Sequence, residues 1–358
     1  MYFEIQPKSN KDDLFGVDYA FKTLSEALTD DYTRLIVIKG LRRVGKTSLM
    51  NAALKKTQPN ALSIDVRESP YSDRQKFFSF LVDKIKQTIG KPIISQILQK
   101  ISGIGASYKD FSAQLFFSKH EHFQFFLENL NKQLSKKNQK FILAFDEAQL
   151  LKEIKFDYIL ASIFDNYRQI KIILTGSEVG LLDKFIGKTD YDAPLYGRAY
   201  LGIELKRMRE EETGKFLETG FNQINKKISF KEIKEVVEHL DGIIGWITHY
   251  GWLRYKGMSH EISIAKVKEE GTELVKRELR QFLERRKAKA KYLQLLEFLA
   301  KGDNSWRIIK YNFSKIGITL TDNQLNMYLK ELLDYGFIEK SEEKYFLSDP
   351  IYLVAVKS

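Results

Sequence analysis

Residues 35–56 read LIVIKGLRRVGKTSLMNAALKK: a short apolar run, a loop bounded by glycines, and a helical pattern. The loop from Gly40 to Thr47 matches G-x-x-x-x-G-K-T between the strand and the helix that this pattern requires. The glycines let the backbone wrap closely, so that consecutive N–H groups point at phosphate oxygens. The N-terminus of the helix, predicted over 48–56, adds the positive end of its dipole. The spacing predicts a strand, a phosphate-binding loop and a helix.

The side chains of this loop have separate predicted roles at a nucleotide. Lys46 is expected to reach the β- and γ-phosphates, and the Thr47 hydroxyl is expected to coordinate Mg²⁺. An ordinary strand–turn–helix corner is the alternative, which the strand before the loop and the helix after it disfavour. The predicted nucleotide-binding residues of this segment are Gly40, Leu41, Arg42, Arg43, Val44, Gly45, Lys46, Thr47 and Ser48.

Four more apolar runs follow the loop, at residues 61–66, 141–145, 170–174 and 200–205. Each is nearly continuous in apolar character, which is typical of central parallel strands covered on both faces. Helical patterns lie between the runs, so this part of the chain predicts an α/β fold with a parallel sheet and right-handed crossovers. Residues 91–119 have little clear period and are predicted to be an insertion between two helices.

The run at 141–145 ends in Asp146 and Glu147. An apolar strand that delivers a carboxylate at its C-terminal end is the Walker B arrangement, in which Asp146 would hold Mg²⁺ through its water shell. Glu147 would then lie next to the γ-phosphate and polarise the attacking water as a general base. Such a pair is otherwise more often a solvated strand end, and its place downstream of a phosphate loop favours the functional interpretation.

Two further segments offer polar groups to the predicted phosphate site. The fourth run ends in Thr175, Gly176 and Ser177, where a hydroxyl beside the phosphate loop would orient water or sense the γ-phosphate. Arg198 lies in a loop before the last run, and its planar, permanently charged guanidinium suits a developing phosphoryl charge. The alternatives are a satisfied hydroxyl at a strand end and an arginine on a solvated loop.

Composition bounds the class of protein. The 358 residues predict two to three domains, and the net charge of +11 favours polyanionic partners such as nucleic acids and nucleotides. The absence of cysteine excludes disulfides, thiolate zinc sites and cysteine nucleophiles. No apolar run approaches the roughly 20 residues that span a bilayer, and the start has no signal-peptide core. A soluble, cytoplasmic protein without a membrane segment is expected.

The strand pattern stops after residue 205. Residues 209–285 read as helices, broken by the glycines of DGIIG at 241–245. Three more helical stretches and two short strands around a polar turn close the chain, and this order predicts a winged helix-turn-helix. The predicted domains are a core over 1–205, a helical lid over 206–285 and a winged-helix domain over 286–358.

Positive charge is concentrated between the predicted lid and winged helix. Residues 276–291, from Lys276 to Lys291, carry eight basic and two acidic residues, whereas the candidate recognition helix at 322–335 has a net charge of −2. Because phosphate contacts dominate the affinity of proteins for DNA, we expect any nucleic-acid contact to come from 276–291. The winged helix is then expected to dock a protein partner. A solvated helix face is the alternative interpretation of the charged run.

With these motifs in this order, the chain resembles the archaeal ATPase family, a group of AAA+/STAND P-loop NTPases. The resemblance also rests on Phe15-Gly16, the Arg42-Arg43 pair and YFLSDP at 345–350. It implies a five-stranded ATPase core, a helical lid and a C-terminal winged helix, with Phe15 and Gly16 flanking the adenine and the lid glycines approaching the nucleotide from the other side. Ile244 stands where related STAND proteins have proline. By analogy with AAA+ proteins, Arg198 is an arginine finger that acts between protomers of an oligomer.

The motifs and the resemblance together predict a slow, Mg²⁺-dependent ATPase that binds ATP and ADP. Its nucleotide state is expected to set the lid angle and so move the winged helix. A non-catalytic nucleotide-dependent interaction or DNA-binding module is the alternative, and a P-loop kinase fits less well because Glu147 beside Asp146 favours activation of water. The candidate catalytic residues are Lys46, Glu147, Thr175, Ser177 and Arg198.

Overall fold

A computed structural model of the chain describes residues 1–57, 60–90, 93–97, 120–302 and 304–357. The predicted insertion at 91–119 falls mostly outside these residues. Five parallel strands form one sheet in the order β2-β3-β4-β1-β5. They are β1 (Leu35–Lys39), β2 (Ala61–Asp65), β3 (Phe141–Asp146), β4 (Ile170–Gly176) and β5 (Leu201–Glu204). The predicted α/β class and parallel sheet are confirmed.

Helices and apolar clusters cover both faces of this sheet. The two-residue period of β1 sends Leu35 and Val37 into one cluster and Ile36 and Ile38 into another. Burial of one such side chain stabilises the fold by about 1.5–3 kcal/mol. Because a slip of one residue would move every side chain of the strand to the other face, this burial fixes the register in which the strands pair. The helices of this part are α1 (Asp18–Thr29), α2 (Lys46–Thr57), α3 (Arg74–Thr88), α4 (His120–Lys136), α5 (Asp157–Asn166) and α6 (Val179–Phe185).

The sheet order brings the carboxyl ends of β3, β4 and β1 side by side. The strand registers pair Phe145 with Leu174 and Ile38 with Thr175. The end of β1 continues into the glycine loop, and 3₁₀ turns follow β2 (Val66–Glu68) and β3 (Ala148–Ile154). Polar residues that follow these strands therefore meet at one edge of the sheet.

Four helices follow the sheet, and we refer to them together as the lid. They are α7 (Glu210–Gln223), α8 (Phe230–Leu240), α9 (Ile244–Tyr255) and α10 (His260–Glu284). Ser229 and Glu232 form a capping box at the start of α8, which satisfies backbone N–H groups there. Asp241 ends α8 in the left-handed conformation, with a φ of +46°. The helical region and its break at the predicted glycines agree with the sequence.

The C-terminal region, residues 289–357, contains three helices, an antiparallel hairpin and a final helix. The elements are α11 (Lys289–Ala300), α12 (Trp306–Lys315), α13 (Asp322–Asp334), β6 (Ile338–Ser341), β7 (Lys344–Leu347) and α14 (Pro350–Lys357). The three helices and the hairpin agree with the predicted order, and α14 is an addition to it. Pro350 occupies the first position of α14, where a backbone N–H would have no partner within the helix. Asp349 accepts a hydrogen bond from the Ile351 N–H.

The lid and the C-terminal region share one apolar cluster. It includes Phe3 from the chain start, Trp246 from α9, Phe282 from α10 and Tyr352 from α14. The predicted domain boundaries at residues 205 and 285 stay predictions. Within the described part of the chain, no helix combines the length and apolar character needed to cross a membrane.

Candidate nucleotide-binding site

The glycine loop lies at the carboxyl end of β1 and leads directly into α2. Gly40 packs against the residue after β5, where an added Cβ would lie 2.2 Å from the Leu205 carbonyl oxygen. This approach is too close for any side chain, so the position requires glycine. The loop therefore has the strand, turn and helix that its sequence predicts.

Lys46, the first residue of α2, is buried within the loop. Its ammonium donates hydrogen bonds to the carbonyl oxygens of Gly40, at 2.9 Å, and Leu41, at 2.7 Å. Burial lowers the pKa of Lys46 to about 8, against the opposing influence of the Glu147 and Asp146 carboxylates. The cation is thus held by neutral carbonyl groups, which leaves its charge available to an anion in the cleft.

Asp146, at the end of β3, accepts hydrogen bonds from two hydroxyls. The Thr47 hydroxyl donates to Oδ2 at 2.5 Å, and the Thr175 hydroxyl donates to Oδ1. The structure therefore brings together the two residues predicted to serve Mg²⁺, a hydroxyl and a carboxylate, which are the oxygen ligands that this cation prefers. Thr175 is a positioning residue here, because it holds the Asp146 carboxylate.

Glu147 is buried and lies in the left-handed region, with a φ of +55°. Ser177 donates to it twice, from its hydroxyl at 2.8 Å and from its backbone N–H at 3.1 Å, and Gln149 Nε2 donates at 2.8 Å. Burial raises the pKa of Glu147, but the Lys46 charge and these hydrogen bonds outweigh it, so the pKa is lowered. Glu147 is therefore an ionised carboxylate in a fixed orientation. Gln149 has no signal in the sequence, because no motif distinguishes a polar residue in the turn after β3.

A cleft of about 770 Å³ opens from the loop toward the lid. Phe15 and Gly16 line it, as the resemblance implies. Phe15 lies edge-on to Tyr2, at 5.7 Å between ring centroids, and to Phe216 of α7, at 5.4 Å. These three rings contact one another and line the cleft together. Tyr2 and Phe216 are missed by sequence analysis because neither belongs to a motif.

The lid touches the loop at the predicted glycines. The Gly245 N–H donates to the Arg43 carbonyl oxygen at 2.9 Å, and a Cβ added to Gly245 would lie 2.7 Å from the Arg43 Cβ. Ile244 and Gly245 both line the cleft. The start of α9 therefore contacts the loop, with Ile244 at the position where the resemblance implies a proline.

Arg42 and Arg43 are predicted to bind nucleotide, but their side chains contact protein groups. Arg42 donates to Glu178 Oε1 at 2.9 Å and to the Tyr335 carbonyl oxygen at 3.0 Å. Arg43 donates to Glu278 Oε1 at 2.7 Å. Largely buried guanidinium groups need such partners. For these two residues, phosphate contact therefore stays a prediction for the backbone N–H groups and not for the side chains.

Two other predicted residues have partners within the chain. The Ser48 hydroxyl accepts a hydrogen bond from the Lys8 N–H at 3.0 Å, which ties the chain start to α2. Arg198 precedes β5, so it lies at the edge of the sheet opposite the loop, where its Nε donates to Asp165 Oδ1 at 3.0 Å. The chain does not bring Arg198 to its own phosphate loop, and the arginine-finger role stays a prediction for contact with a second chain.

The fold and the site define a P-loop nucleoside triphosphatase, since the sheet order, the glycine loop and the carboxylates after β3 occur together. The family described as an ATPase domain predominantly from Archaea matches residues 18–249, and the chain belongs to this family. The resemblance inferred from the motifs is confirmed.

Two solved structures extend the comparison to the whole chain. The Walker-type ATPase of Pyrococcus abyssi has a TM-score of 0.80 at 28% identity, covering 100% of both chains. The Aeropyrum pernix ORC2 protein, in its ADPNP–ADP complexes, has a TM-score of 0.61 at 14% identity, covering 99% of this chain and 96% of that chain. At this identity the second similarity shows the fold alone. No curated protein matches the chain.

Proposed function

We propose that the protein binds ATP with Mg²⁺, hydrolyses it slowly, and uses the nucleotide state to control the C-terminal region as a winged-helix output domain. One observation carries this proposal: the loop that would wrap the phosphates also sends Arg42 and Arg43 to the lid and the C-terminal region. A non-catalytic module that binds ADP or ATP with negligible turnover is the alternative.

The polar groups at the sheet edge suit hydrolysis of a γ-phosphate. Lys46 would contact the β- and γ-phosphates, and Thr47 with Asp146 would hold Mg²⁺, which neutralises phosphate charge. Glu147, kept ionised, would accept the proton of a water molecule as that water attacks the γ-phosphorus. The bond from phosphorus to the β–γ bridging oxygen breaks as the new bond forms, so ADP and inorganic phosphate leave.

Glu278 on α10 joins the loop arginines to the C-terminal region. Its carboxylate accepts from Arg43 Nη2 at 2.7 Å, lies 3.5 Å from Arg42 Nε, and accepts from the Tyr352 hydroxyl at 3.3 Å. We call these four residues, Arg42, Arg43, Glu278 and Tyr352, the loop latch. A half-buried carboxylate shared by several donors favours one arrangement of the elements that carry them.

Trp246 and Asp349 extend this connection. The Arg43 guanidinium lies 4.3 Å from the Trp246 ring centroid, and Trp246 Nε1 donates to Asp349 Oδ2 at 2.8 Å. Trp246 belongs to α9, and Asp349 immediately precedes α14. A displacement of the loop backbone on nucleotide exchange would therefore act on the lid and the C-terminal region together.

A second contact joins the Glu147 side of the site to the C-terminal region. Helix α6 begins two residues after Ser177, and a Cβ added to Gly180 in this helix would lie 2.4 Å from Asp334 Oδ1. Lys184 of α6 forms an ion pair with Asp334, the last residue of α13. The candidate recognition helix thus ends against the ATPase core, and its separation from the core would expose that end.

The basic run at 276–291 is available to a nucleic acid only in part. Arg285 pairs with Glu153 at 2.7 Å, and Arg286 pairs with Glu331 at 2.7 Å while lying 3.6 Å from the Phe282 ring centroid. Nucleic-acid contact is therefore proposed for the exposed members of the run, with protein docking by the C-terminal region as the other proposed partnership. Apart from the paired Arg285, those members are Arg277, Arg280, Lys287 and Lys289.

The substitution Glu147→Gln tests the hydrolytic role. The amide keeps the size of the carboxylate and loses its basicity, so we expect ADP affinity to stay within about twofold and turnover to fall about 10²–10⁴-fold. Phosphate release and calorimetric titration measure the two quantities. The control is Glu153→Gln, in the 3₁₀ turn after the same strand and outside the cleft. Negligible turnover of the wild-type protein with tight nucleotide binding would favour the non-catalytic alternative.

A further inference from the structure

Arg67 lines the cleft together with Lys46 and Glu147 and has no part in the function proposed above. It lies in the 3₁₀ turn directly after β2, the strand beside β3 in the sheet. The register pairs Asp65, the last residue of β2, with Asp146, the last residue of β3. Arg67 therefore follows its strand at the sheet edge that carries the two carboxylates of the site.

Asp65 holds the Arg67 side chain in place, and within the described part of the chain one nitrogen of the guanidinium remains free to donate. Its Nε donates to Asp65 Oδ1 at 2.9 Å and its Nη2 donates to Asp65 Oδ2 at 2.6 Å. Nη1 has no hydrogen bond among the residues that the structure describes, and the side chain is 60% exposed. The hydrogen bonds with Asp65 raise the pKa of Arg67, burial opposes them, and the charges of Glu147 and Asp146 add to the increase.

The other cations of the cleft are engaged or lie elsewhere. Arg42 and Arg43 are bound by carboxylates, as described above. Lys206, Arg207 and Arg209 follow β5, at the far side of β1 from β3 in the sheet order. Of the arginines that line the described cleft, Arg67 is thus the one beside the Walker B carboxylates with an uncommitted donor.

We infer that Arg67 binds the γ-phosphate of ATP within its own chain and stabilises the charge that develops there during hydrolysis. As water attacks the γ-phosphorus and the bond to the bridging oxygen breaks, negative charge spreads over the γ-phosphate oxygens. A guanidinium that donates from Nη1 to one of these oxygens forms a charge-assisted hydrogen bond. ADP lacks this group, so Arg67 also distinguishes ATP from ADP. The inference rests on the proposed function.

Calorimetric titration with ADP and with a non-hydrolysable ATP analogue, both with Mg²⁺, tests this assignment. For Arg67→Ala we expect the affinity for the analogue to fall about tenfold or more while the affinity for ADP is unchanged, because only the analogue carries the contact. ATP turnover falls as well. The control is Arg285→Ala, an arginine that is 65% exposed and paired with a carboxylate outside the cleft; it leaves both affinities unchanged.

The substitution Asp65→Asn separates phosphate binding from a structural role of the pair. It weakens the ion pair but keeps the guanidinium, so we expect preference for the analogue to persist. Equal losses of both affinities in Arg67→Ala and Asp65→Asn would overturn the inference in favour of a structural pair. If Arg67→Ala leaves the ratio of the affinities for the analogue and ADP unchanged, and the wild-type protein binds both nucleotides, the Arg67 inference is overturned while the proposed function stands. Failure of the wild-type protein to bind either nucleotide would overturn the proposed function and this inference with it.

Discussion

Lys46 gives nucleotide binding a characteristic pH dependence. In the free protein, burial lowers its pKa to about 8, so the ammonium form is lost above that pH. A bound phosphate favours the ammonium form and raises the pKa again, which means that binding above about pH 8 takes up a proton. Affinity for ADP is therefore expected to be constant just below about pH 8 and to weaken above it, by up to about tenfold per pH unit.

Calorimetry with ADP in two buffers of different ionisation enthalpy measures this proton uptake directly. The matched variant is Lys46→Arg, whose side chain stays charged over the whole range, so that any remaining binding should take up no proton. Affinity that stays constant to about pH 9.5 in the wild-type protein would contradict the coupling of a lowered Lys46 pKa to phosphate binding.

The sequence predicts the site residues that lie at a fixed number of positions after the end of a strand. Lys46, Asp146 and Glu147 are of this kind, and the structure brings them to one edge of the sheet. The side chains of Arg42 and Arg43 are different, because their position in the loop suggests phosphate contact while their partners come from distant parts of the chain. No local pattern indicates such partners.

At the scale of elements, the spacing of apolar residues predicts those helices and strands whose burial is regular along the chain. The five strands are recognisable because both faces of the sheet are covered, which leaves nearly continuous apolar runs. Helix α14 is short and apolar, and its few residues lack a helical period that would separate it from a strand. The chain start is missed for a related reason, since a single aromatic residue inserted into another element has no period at all.

Phe3 anchors the chain start in the lid. Its side chain is fully buried, and its ring occupies the space that Cβ atoms on Gly220 and Gly251 would need. We expect Phe3→Ala to lower the free energy of unfolding by about 3–5 kcal/mol, since a large cavity would remain. Denaturant unfolding measures the loss, with Ile5→Ala as the control because Ile5 is 54% exposed. A loss of similar size in both variants would contradict the anchor.

Helix α10 and the segment after it carry the proposed nucleic-acid contact. We expect replacement of Arg277, Arg280, Lys287 and Lys289 by alanine to weaken duplex DNA binding and to flatten its salt dependence, by about 0.9 in log–log slope per lost phosphate contact. Lys330→Ala, on the exposed face of α13, is the control and should change little. A salt titration of both variants compares them. If the quadruple variant binds duplex DNA normally, the basic run at 276–291 is a solvated helix face and does not contact DNA.

At the scale of the whole molecule, the loop latch is where a nucleotide site and an output region meet. Glu278 comes from α10, Tyr352 from α14 and the two arginines from the loop, so three distant parts of the chain depend on one carboxylate. The sequence motifs predict that the nucleotide state moves the C-terminal region, but no motif indicates these contacts, because they exist only when the chain is folded. Since removal of one partner leaves buried charge uncompensated, Glu278→Gln is expected to weaken the connection strongly.

The absence of cysteine makes the coupling measurable, because dyes attach only at cysteines that are introduced. Tyr32 before β1 and Tyr311 on α12 are exposed, so Tyr32→Cys and Tyr311→Cys place one dye on the core and one on the C-terminal region. Energy transfer between the dyes is measured with saturating ADP and with a saturating non-hydrolysable ATP analogue, each with Mg²⁺. A nucleotide-controlled switch predicts two different transfer efficiencies that converge in Glu278→Gln and stay distinct in the control Glu284→Gln on the same helix. Equal efficiencies in the otherwise wild-type chain, with both nucleotides bound, would contradict a nucleotide-controlled switch.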